Sequence, residues 1–395
     1  MKTVTNDYQS AILAPVSSDI LRGLIDTEPF NISDLVSVKI SKKATSGSDL
    51  QIGGVFAQEM QMELFWEETN GDYKRYNDSG IVLQYGIKTP EMQDYATVAL
   101  NKFEVVKTER KAQTIVLTAY DYMLRLEQEF DGWDEVSHTL YDWYDYICNA
   151  CQVNVGMTEV EFNALPNIIT VGAVAIKAFG VFKTCRDVAH HIAMLIGGFA
   201  YIDGTSLKFD YYRNKNAVMT IPVDLTDDGD KFSDYEVNYT TVTAVRGDTL
   251  ISATTGNDGR TYELGELPLL ESFSGDGVYQ TVVTNILNNL STISYVPFEL
   301  KWTGNPALEC TDFVAIEGTD IVSPLMLIDW EFDGMETLKA VGTENETVQI
   351  ATSSSGSQTS KEIQQAKINI NADLQNYATK AFVDEQIGEA IRSDY

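Results

Sequence analysis

Residues 184–209 read TCRDVAHHIAMLIGGFAYIDGTSLKF, and this run combines a helix pattern, a stop and a hairpin pattern. Thr184 is a suitable helix cap, because its side-chain oxygen can accept a hydrogen bond from a free N–H of the first turn. The apolar residues after it recur at helical spacing and would form one stripe: Val188, Ile192, Leu195 and Ile196. Gly197 and Gly198 end this pattern, and an Asp-Gly pair between two alternating runs predicts a hairpin. The run therefore predicts helix, strand, turn and strand.

Another amphipathic helix is predicted upstream, in SHTLYDWYDYICNACQVN. Ser137 is its expected cap. The apolar positions at helical spacing are Leu140, Trp143, Tyr144, Ile147 and Cys151. Together with the first run, this helix predicts an α/β middle domain over residues 133–215.

The rest of the chain up to residue 345 alternates apolar and polar residues between Gly-, Asn-, Asp- and Ser-rich turns, which is typical of antiparallel strands. We expect an N-terminal arm over residues 1–31 and a first β-domain over 32–132. A second β-domain is expected over 216–345, with a helical insertion at about 262–297. The fold class is α+β, with two antiparallel β-barrel domains around the middle domain.

The C-terminal part has a different composition. Residues 346–360 are rich in Ser, Gly and Thr and predict a linker. In residues 361–395, apolar positions three and four apart predict a coiled-coil seam formed by Ile363, Ala366, Ile370, Leu374, Tyr377 and Ala381. A seam this short needs partner chains that are held close by the preceding domains.

The bulk composition limits the possible partners. The chain has 395 residues, of which 44% are hydrophobic, and its 58 acidic against 28 basic residues give a net charge of −30. Such a charge repels phosphates, so we expect neither nucleic-acid-specific nor membrane binding. The N-terminus lacks the apolar core of a signal peptide, and the 4 cysteines are too few for a disulfide scaffold. We therefore expect synthesis in the host cytoplasm.

The order of the upstream helix, an LPN triplet and the 184–209 run resembles the middle domain of hub proteins at the tail tip of phages that infect Gram-positive hosts. This family is the tail-associated lysin N-terminal region, also called prophage tail endopeptidase or baseplate hub. The residues that match its recurring string are Cys185, Arg186, Asp187, Val188, Ile192, Ala193, Gly197, Gly198, Phe199, Ala200, Ile202 and Leu207.

Two further stretches carry the same resemblance. Residues 37–66 are similar to the family's first barrel. GNPALECTDFVAIEG, residues 304–318, is similar to a string of the second barrel, in which Gly304, Asn305 and Pro306 match and Cys310-Thr311 stands where a Gly is commoner. The similarity covers roughly residues 8 to 345.

The resemblance implies a structural hub of the virion tail tip. Such hubs are homotrimers that close the distal end of the tail tube and match the hexameric distal tail protein above them. They contact the tape measure protein, open for DNA passage, and often continue into a coiled coil that leads to a fibre or receptor-binding protein.

The clustered His and Cys residues are candidates for a site of chemistry. His190 and His191 are adjacent and would point about 100° apart on a helix, so they cannot ligate one metal together. We expect one of them in the core and the other in solvent. Cys148 and Cys151 have the spacing of half a zinc site or of a redox motif, but Cys185 and Cys310 lie far away in sequence. Buried thiols are the expectation.

An acidic run, DLTDDGD at residues 224–230, superficially follows the order of a calcium loop. Thr226 stands at its third position and Tyr235 at its twelfth, where a bidentate Glu is needed. A solvated acidic turn is therefore expected, with a calcium site between Asp224 and Asp230 as the alternative.

No enzyme is expected, and no catalytic residue, metal or cofactor is assigned. Cys185 cannot pair with His190 or His191 on the same helix, and the part after residue 345 is shorter than a lysin's catalytic domain. A tail-associated lysin that degrades the cell wall is one alternative, and a direct receptor-binding protein is another. The aromatic runs are expected in the core and at interfaces, with a glycan platform as the alternative: Tyr141, Trp143, Tyr144, Tyr146, Tyr211 and Tyr212.

Overall fold

The computed structural model describes residues 1–30, 32–67, 71–177, 180–227, 229–256, 258–344 and 348–349. The predicted linker and the predicted seam, from Ile363 to Ala381, lie outside these residues. The fold is α+β and consists mostly of sheets. Its helices are α1 (Asn6–Ile12), α2 (Leu140–Ala150), α3 (Glu159–Asn163), α4 (Ile168–Val171), α5 (Cys185–Leu195) and α6 (Gly277–Leu290).

The strands fall into two groups along the chain. Those before α5 are β1 (Ser18–Ile25), β2 (Glu28–Pro29), β3 (Leu35–Lys43), β4 (Gly54–Val55), β5 (Glu59–Phe65), β6 (Gly80–Lys88), β7 (Ala96–Arg110), β8 (Thr114–Asp121), β9 (His138–Thr139), β10 (Asn154–Val155) and β11 (Ala173–Val174). Those after it are β12 (Gly198–Asp203), β13 (Ser206–Tyr211), β14 (Met219–Ile221), β15 (Lys231–Phe232), β16 (Val237–Arg246), β17 (Thr249–Thr254), β18 (Arg260–Glu266), β19 (Ser294–Tyr295), β20 (Phe298–Trp302), β21 (Phe313–Ile316), β22 (Val322–Pro324), β23 (Leu327–Glu331), β24 (Glu336–Ala340) and β25 (Val348–Gln349).

The largest sheet contains strands from both predicted β-domains. Its 11 strands follow the order β15-β20-β24-β23-β3-β5-β8-β7-β6-β1-β2. The two halves join where β3 pairs antiparallel with β23, from Leu327 opposite Lys43 to Glu331 opposite Lys39. At the far end, β1 of the predicted arm pairs along its whole length with β6. Residues distant in sequence thus share one hydrogen-bonded surface.

The middle domain is connected to the first β-domain by a smaller sheet. This sheet has 4 strands in the order β10-β13-β12-β4. The hairpin β12–β13 comes from the 184–209 run, and β12 pairs parallel with β4, with Phe199 opposite Gly54. Helix α5 packs against both β12 and β4, so the middle module is built partly from residues of the first β-domain.

A third region follows residue 216. It contains a 5-stranded sheet in which β17, β16, β18 and β25 follow one another in this order. The fifth strand, β19, pairs with the first two residues of β16. Helix α6 packs on β16 and β17. One hydrophobic cluster runs from the middle domain into this region, and a separate one fills the space between α1 and the large sheet.

Several local predictions are settled by the structure. The hairpin and the Thr184 cap are confirmed, since Thr184 Oγ1 accepts the N–H of Asp187. The Ser137 cap is wrong, because Thr139 caps α2 instead and forms a capping box with Asp142. The predicted helical insertion begins later than expected, since residues up to Glu266 form β18. The domain boundaries stay a prediction.

Candidate functional site

The two histidines of α5 are both buried. His190 is 2% and His191 9% exposed, so the expectation of one solvated histidine is wrong. His190 Nδ1 contacts the carbonyl oxygen of Gly53 at 2.6 Å. Burial lowers the pKa of both imidazoles, and the neighbouring His190 lowers the pKa of His191 further. Neutral, buried rings packed against each other are part of the core of the α5 module.

Three cysteines belong to the packed helices α2 and α5. Cys148 and Cys151 are buried on α2, as expected, and Cys185 is buried at the first position of α5. Contact with the Cys151 thiol and burial both raise the pKa of Cys185, and burial raises that of Cys148. Among the described residues, no group of three or more His, Cys, Asp or Glu side chains is arranged to hold a metal ion.

The acidic run at 224–230 is partly described. Asp224 lies in a short 3₁₀ helix, and Asp230 accepts the N–H of Lys301 at 3.2 Å. Asp228 lies outside the described residues. The calcium hypothesis for this run therefore stays untested.

The aromatic run of α2 contributes mainly to the core. Trp143 and Tyr144 are buried, and Tyr144 stacks on Phe162 with a ring separation of 5.0 Å. Tyr212 is buried as well. The partly exposed rings of Tyr141 and Tyr146 pack against the same core. This packing agrees with the expected structural role.

Arg186 lies at a junction between two parts of the chain. Its side chain is 1% exposed, its Nε donates to the carbonyl oxygen of Val55 at 2.9 Å, and its Nη1 forms an ion pair with Glu127. Val55 belongs to β4, and Glu127 ends a 3₁₀ helix that follows β8. The guanidinium therefore ties α5 to two segments of the first β-domain. Removing it would leave the Glu127 carboxylate without this cation in a half-buried position.

Asp187 holds the start of α5. One of its carboxylate oxygens accepts the backbone N–H groups of Thr184 and Lys183, at 2.9 and 3.0 Å. A carboxylate in the first turn also interacts favourably with the positive end of the helix dipole. The role of Asp187 is thus a cap, as part of the capping box with Thr184.

The Gly197-Gly198 pair permits close packing at the other end of α5. Gly197 has a φ of +67°, in the left-handed region that favours glycine. A Cβ on Gly198 would lie 2.0 Å from the carbonyl oxygen of Asp210, because β12 and β13 approach each other closely there. The N–H of Gly53 also donates to the carbonyl oxygen of Gly198 at 2.7 Å. Both glycines are required by backbone geometry.

The Gly304-Asn305-Pro306 string forms another junction. The N–H of Asn305 donates to Glu336 Oε2 at 2.9 Å, and the Asn305 side-chain oxygen accepts the hydroxyl of Tyr8 at 3.0 Å. The carbonyl oxygen of Pro306 accepts Lys42 Nζ at 3.1 Å. Since Tyr8 belongs to α1 and Lys42 to β3, this string connects the second β-domain to the N-terminal arm and to the first β-domain.

Buried charged residues at these junctions were not singled out from the sequence. Glu336 and Asp121 are both fully buried. Burial raises the pKa of Glu336 to about 8 and that of Asp121 to about 7. Glu336 also accepts the indole N–H of Trp302 at 2.7 Å. Lys42, only 4% exposed, forms an ion pair with Glu309 at 3.1 Å.

A cavity of about 570 Å³ lies where these parts meet. Its lining includes Lys42 and Glu309, together with charged residues of the β12–β13 hairpin. These charges are paired, with Lys208 2.8 Å from Asp203 in the hairpin and Lys215, just after it, 2.8 Å from Asp210. These lining charges are thus paired, Lys42 with Glu309 between distant segments and the others within residues 203–215.

Comparison with known proteins finds distant similarity to solved structures of phage tail proteins, phage baseplates and a type VI secretion component. A prophage tail protein, gp18 from Listeria monocytogenes EGD-e, is similar with 14% identity and a TM-score of 0.49, over 83% of this chain and 96% of that one. A chain of the Francisella PdpA-VgrG complex is similar with 8% identity and a TM-score of 0.46, over 86% of this chain and 55% of that one. A chain of the p2 virion baseplate has 11% identity and a TM-score of 0.28, over 78% of this chain and 100% of that one.

These structures are of the class that the sequence motifs predicted, a tail-tip or baseplate protein. No protein-family model matches the chain, and no curated protein matches it. With no identity above 14% and no TM-score above 0.49 among the three structures, the likenesses establish no function for this chain. No helix among the described residues is both long and apolar enough to cross a membrane.

Proposed function

We propose that this protein is a structural hub of a bacteriophage tail tip. The observation that carries the proposal is the location of the residues by which the chain resembles the hub family. Arg186 ties α5 to β4, Gly198 permits the close β12–β13 packing, and Asn305 joins the second β-domain to α1. These three motif residues therefore lie at contacts between parts of the fold, which is the role expected in an assembly scaffold.

The hub is proposed to be a homotrimer that closes the distal end of the tail tube and opens for DNA passage. Its proposed partners are the distal tail protein ring, the tape measure protein and a fibre or receptor-binding protein. The large sheet that runs across β3 and β23 supports this role, because one hydrogen-bonded surface includes strands of both predicted β-domains. The predicted seam from Ile363 to Ala381 would continue the trimer toward the fibre.

The binding of the purified chain to the distal tail protein of the same particle tests this assembly. We expect the two proteins to sediment together as one complex. The mass of this complex should correspond to three copies of the hub chain. Replacing Arg186 with Met should weaken the complex by loosening α5, whereas replacing the exposed Lys231 with Met should not. Separate sedimentation of the two wild-type proteins at high concentration would contradict the proposed hub.

We further propose that the chain has no enzymatic activity of its own. The candidate nucleophiles Cys148 and Cys185 are buried, and burial raises the pKa of Cys148. His190 is held by the Gly53 carbonyl. Zymography on host cell walls should show no cleared band, and a band that comigrates with the pure protein would favour the tail-associated lysin instead.

A further inference from the structure

A cavity of about 350 Å³ is lined by the edge strand β2 of the large sheet and by residues at the end of β5. The aromatic residues among its described lining are Phe30, Phe65, Trp66 and Tyr76. Phe65 is 55% exposed, whereas Trp66 is 5% exposed and packs edge-on against Tyr76, with ring centroids 5.8 Å apart. A concave site with aromatic walls and a few polar groups is typical of a binding pocket.

The aromatic wall already holds a cation of the chain itself. The guanidinium carbon of Arg75 lies 4.9 Å from the centre of the Tyr76 ring and 5.7 Å from that of the Trp66 ring. Arg75 Nη2 also donates to the Tyr76 hydroxyl at 3.0 Å. The negative faces of aromatic rings attract cations at such distances. These two rings are therefore arranged to bind a planar cation.

Arg75 is held weakly enough to be displaced. Its Nη2 lies 3.7 Å from Glu28 Oε2, which is too long for a hydrogen bond, and the two side chains are 48% and 70% exposed. Ion pairs and cation–π contacts that are open to water contribute little to stability. A second guanidinium can therefore replace Arg75 over the rings at a small cost.

The charges around the cavity favour a cationic ligand. Its described lining contains three carboxylates and one cation, contributed by Glu28, Asp34, Glu67 and Arg75. Such a site attracts a cation and repels an anion. The edge strand β2 includes Pro29, which has no N–H to donate to an added strand. Recognition at this edge therefore depends on side chains.

We propose that this cavity is a docking site for an arginine side chain of a partner protein, which displaces Arg75 from the Trp66 and Tyr76 rings. Arginine suits the site better than a compact ammonium group, because its planar guanidinium stacks on aromatic faces and donates to carboxylates as a fork. Protein interfaces are enriched in arginine and aromatic residues, and the exposed ring of Phe65 offers an apolar contact beside the cavity. The proposal does not depend on the function proposed above.

Titration of the full chain with N-acetylarginine methylamide tests the site. The readout is the indole N–H resonance of Trp66 in protein that is isotope-labelled at its 5 tryptophans, assigned with Trp66→Phe. We expect a saturable shift of this resonance in the millimolar range. The matched ligand is N-acetylcitrulline methylamide, which has nearly the same shape and no charge. It should bind about tenfold more weakly, because it lacks the charge that the rings and carboxylates attract.

Arg75→Ala should tighten the binding of the arginine compound by about fivefold, because the competing guanidinium of the chain is removed. A merely structural role of Arg75 would not produce this gain. Arg22→Ala is the control, since it removes the same charge from β1 outside the described lining and should leave the affinity unchanged. Glu28→Gln should weaken binding.

The comparison of the two ligands on the wild-type chain is sufficient by itself if Arg75→Ala does not fold. Equal binding of the citrulline compound would overturn the proposal, as would a Trp66 resonance that does not shift. Tetramethylammonium that binds as tightly as the arginine compound would show a site for small cations instead. An affinity that falls or stays the same in folded Arg75→Ala would contradict the displacement.

Discussion

Charged residues on inward faces of strands are the main surprise at the scale of single residues. Val38, Ile40 and Lys42 share the inward face of β3, and Glu336 shares that of β24 with Leu338 and Ala340. The period-two pattern alone places these charges inside. Their partners could not be predicted, because Lys42 meets the 306–309 segment only after β3 has paired with β23.

The buried carboxyl of Glu336 predicts a pH-dependent stability. Its pKa is raised from 4.5 to about 8, so the folded chain binds this proton more tightly than the unfolded chain does. The stabilisation is complete below pH 4.5 and is lost as the pH rises through about 8. We expect the free energy of unfolding to decrease by roughly 3 to 5 kcal/mol across that range because of this group.

Glu336→Gln should remove this decrease, since the amide keeps an acceptor for Trp302 and Asn305 and does not titrate. Denaturant unfolding at several pH values measures the free energy of unfolding of both proteins. Asp121, with a pKa raised to about 7, also makes the free energy of unfolding depend on pH. This contribution is the same in the wild type and in Glu336→Gln. Glu331→Gln, at a half-buried position, serves as control. An unchanged pH slope in Glu336→Gln would show that Glu336 does not titrate in this range.

Thr311 predicts a stabilising substitution. It has a φ of +70°, and it stands where the resembling family commonly has a Gly. A β-branched residue in the left-handed region is strained, whereas Gly adopts it freely. We expect Thr311→Gly to raise the free energy of unfolding by about 1 kcal/mol. Thr303→Gly, at an ordinary φ, should lower it, and a loss at both positions would contradict the strain.

At the scale of elements, the sequence predicted the structures that depend on neighbouring residues. It did not predict strand pairings between segments that are far apart in the chain. The 184–209 run carries its own cap, stripe, stop and hairpin, so α5, β12 and β13 follow from neighbouring residues. The pairing of β12 with β4 and of β3 with β23 depends on segments far apart in sequence. The cap of α2 was displaced by two residues because Thr139, unlike Ser137, has Asp142 as its reciprocal partner.

The capping box of α5 predicts a measurable stability contribution. Thr184→Ala removes the acceptor for the Asp187 N–H and should lower the free energy of unfolding by about 1 kcal/mol. Thr184→Ser keeps the hydroxyl and should retain most of the stabilisation that the cap contributes. Thermal unfolding of the two variants gives the comparison. Equal losses for Ala and Ser would assign the effect to the lost methyl group and not to the cap.

At the scale of the whole molecule, the C-terminal seam carries the prediction of self-association. Ile370 and Leu374 are expected on its apolar face, outside the described residues. Their joint replacement with Asp should weaken trimerisation, because two buried charges per chain would face each other in the seam. Analytical ultracentrifugation measures the mass of this variant in solution. The control is a variant in which the neighbouring Asn369 and Asp373 are both replaced by Ser. An unchanged mass of the Asp variant would contradict the predicted seam.

The central claim is tested most directly by cryo-electron microscopy of the phage particle that carries this chain, at a resolution that identifies its sheets. A homotrimer of this chain is expected at the distal end of the tail tube. Density for the chain elsewhere in the particle, or a single copy at the tip, would contradict it.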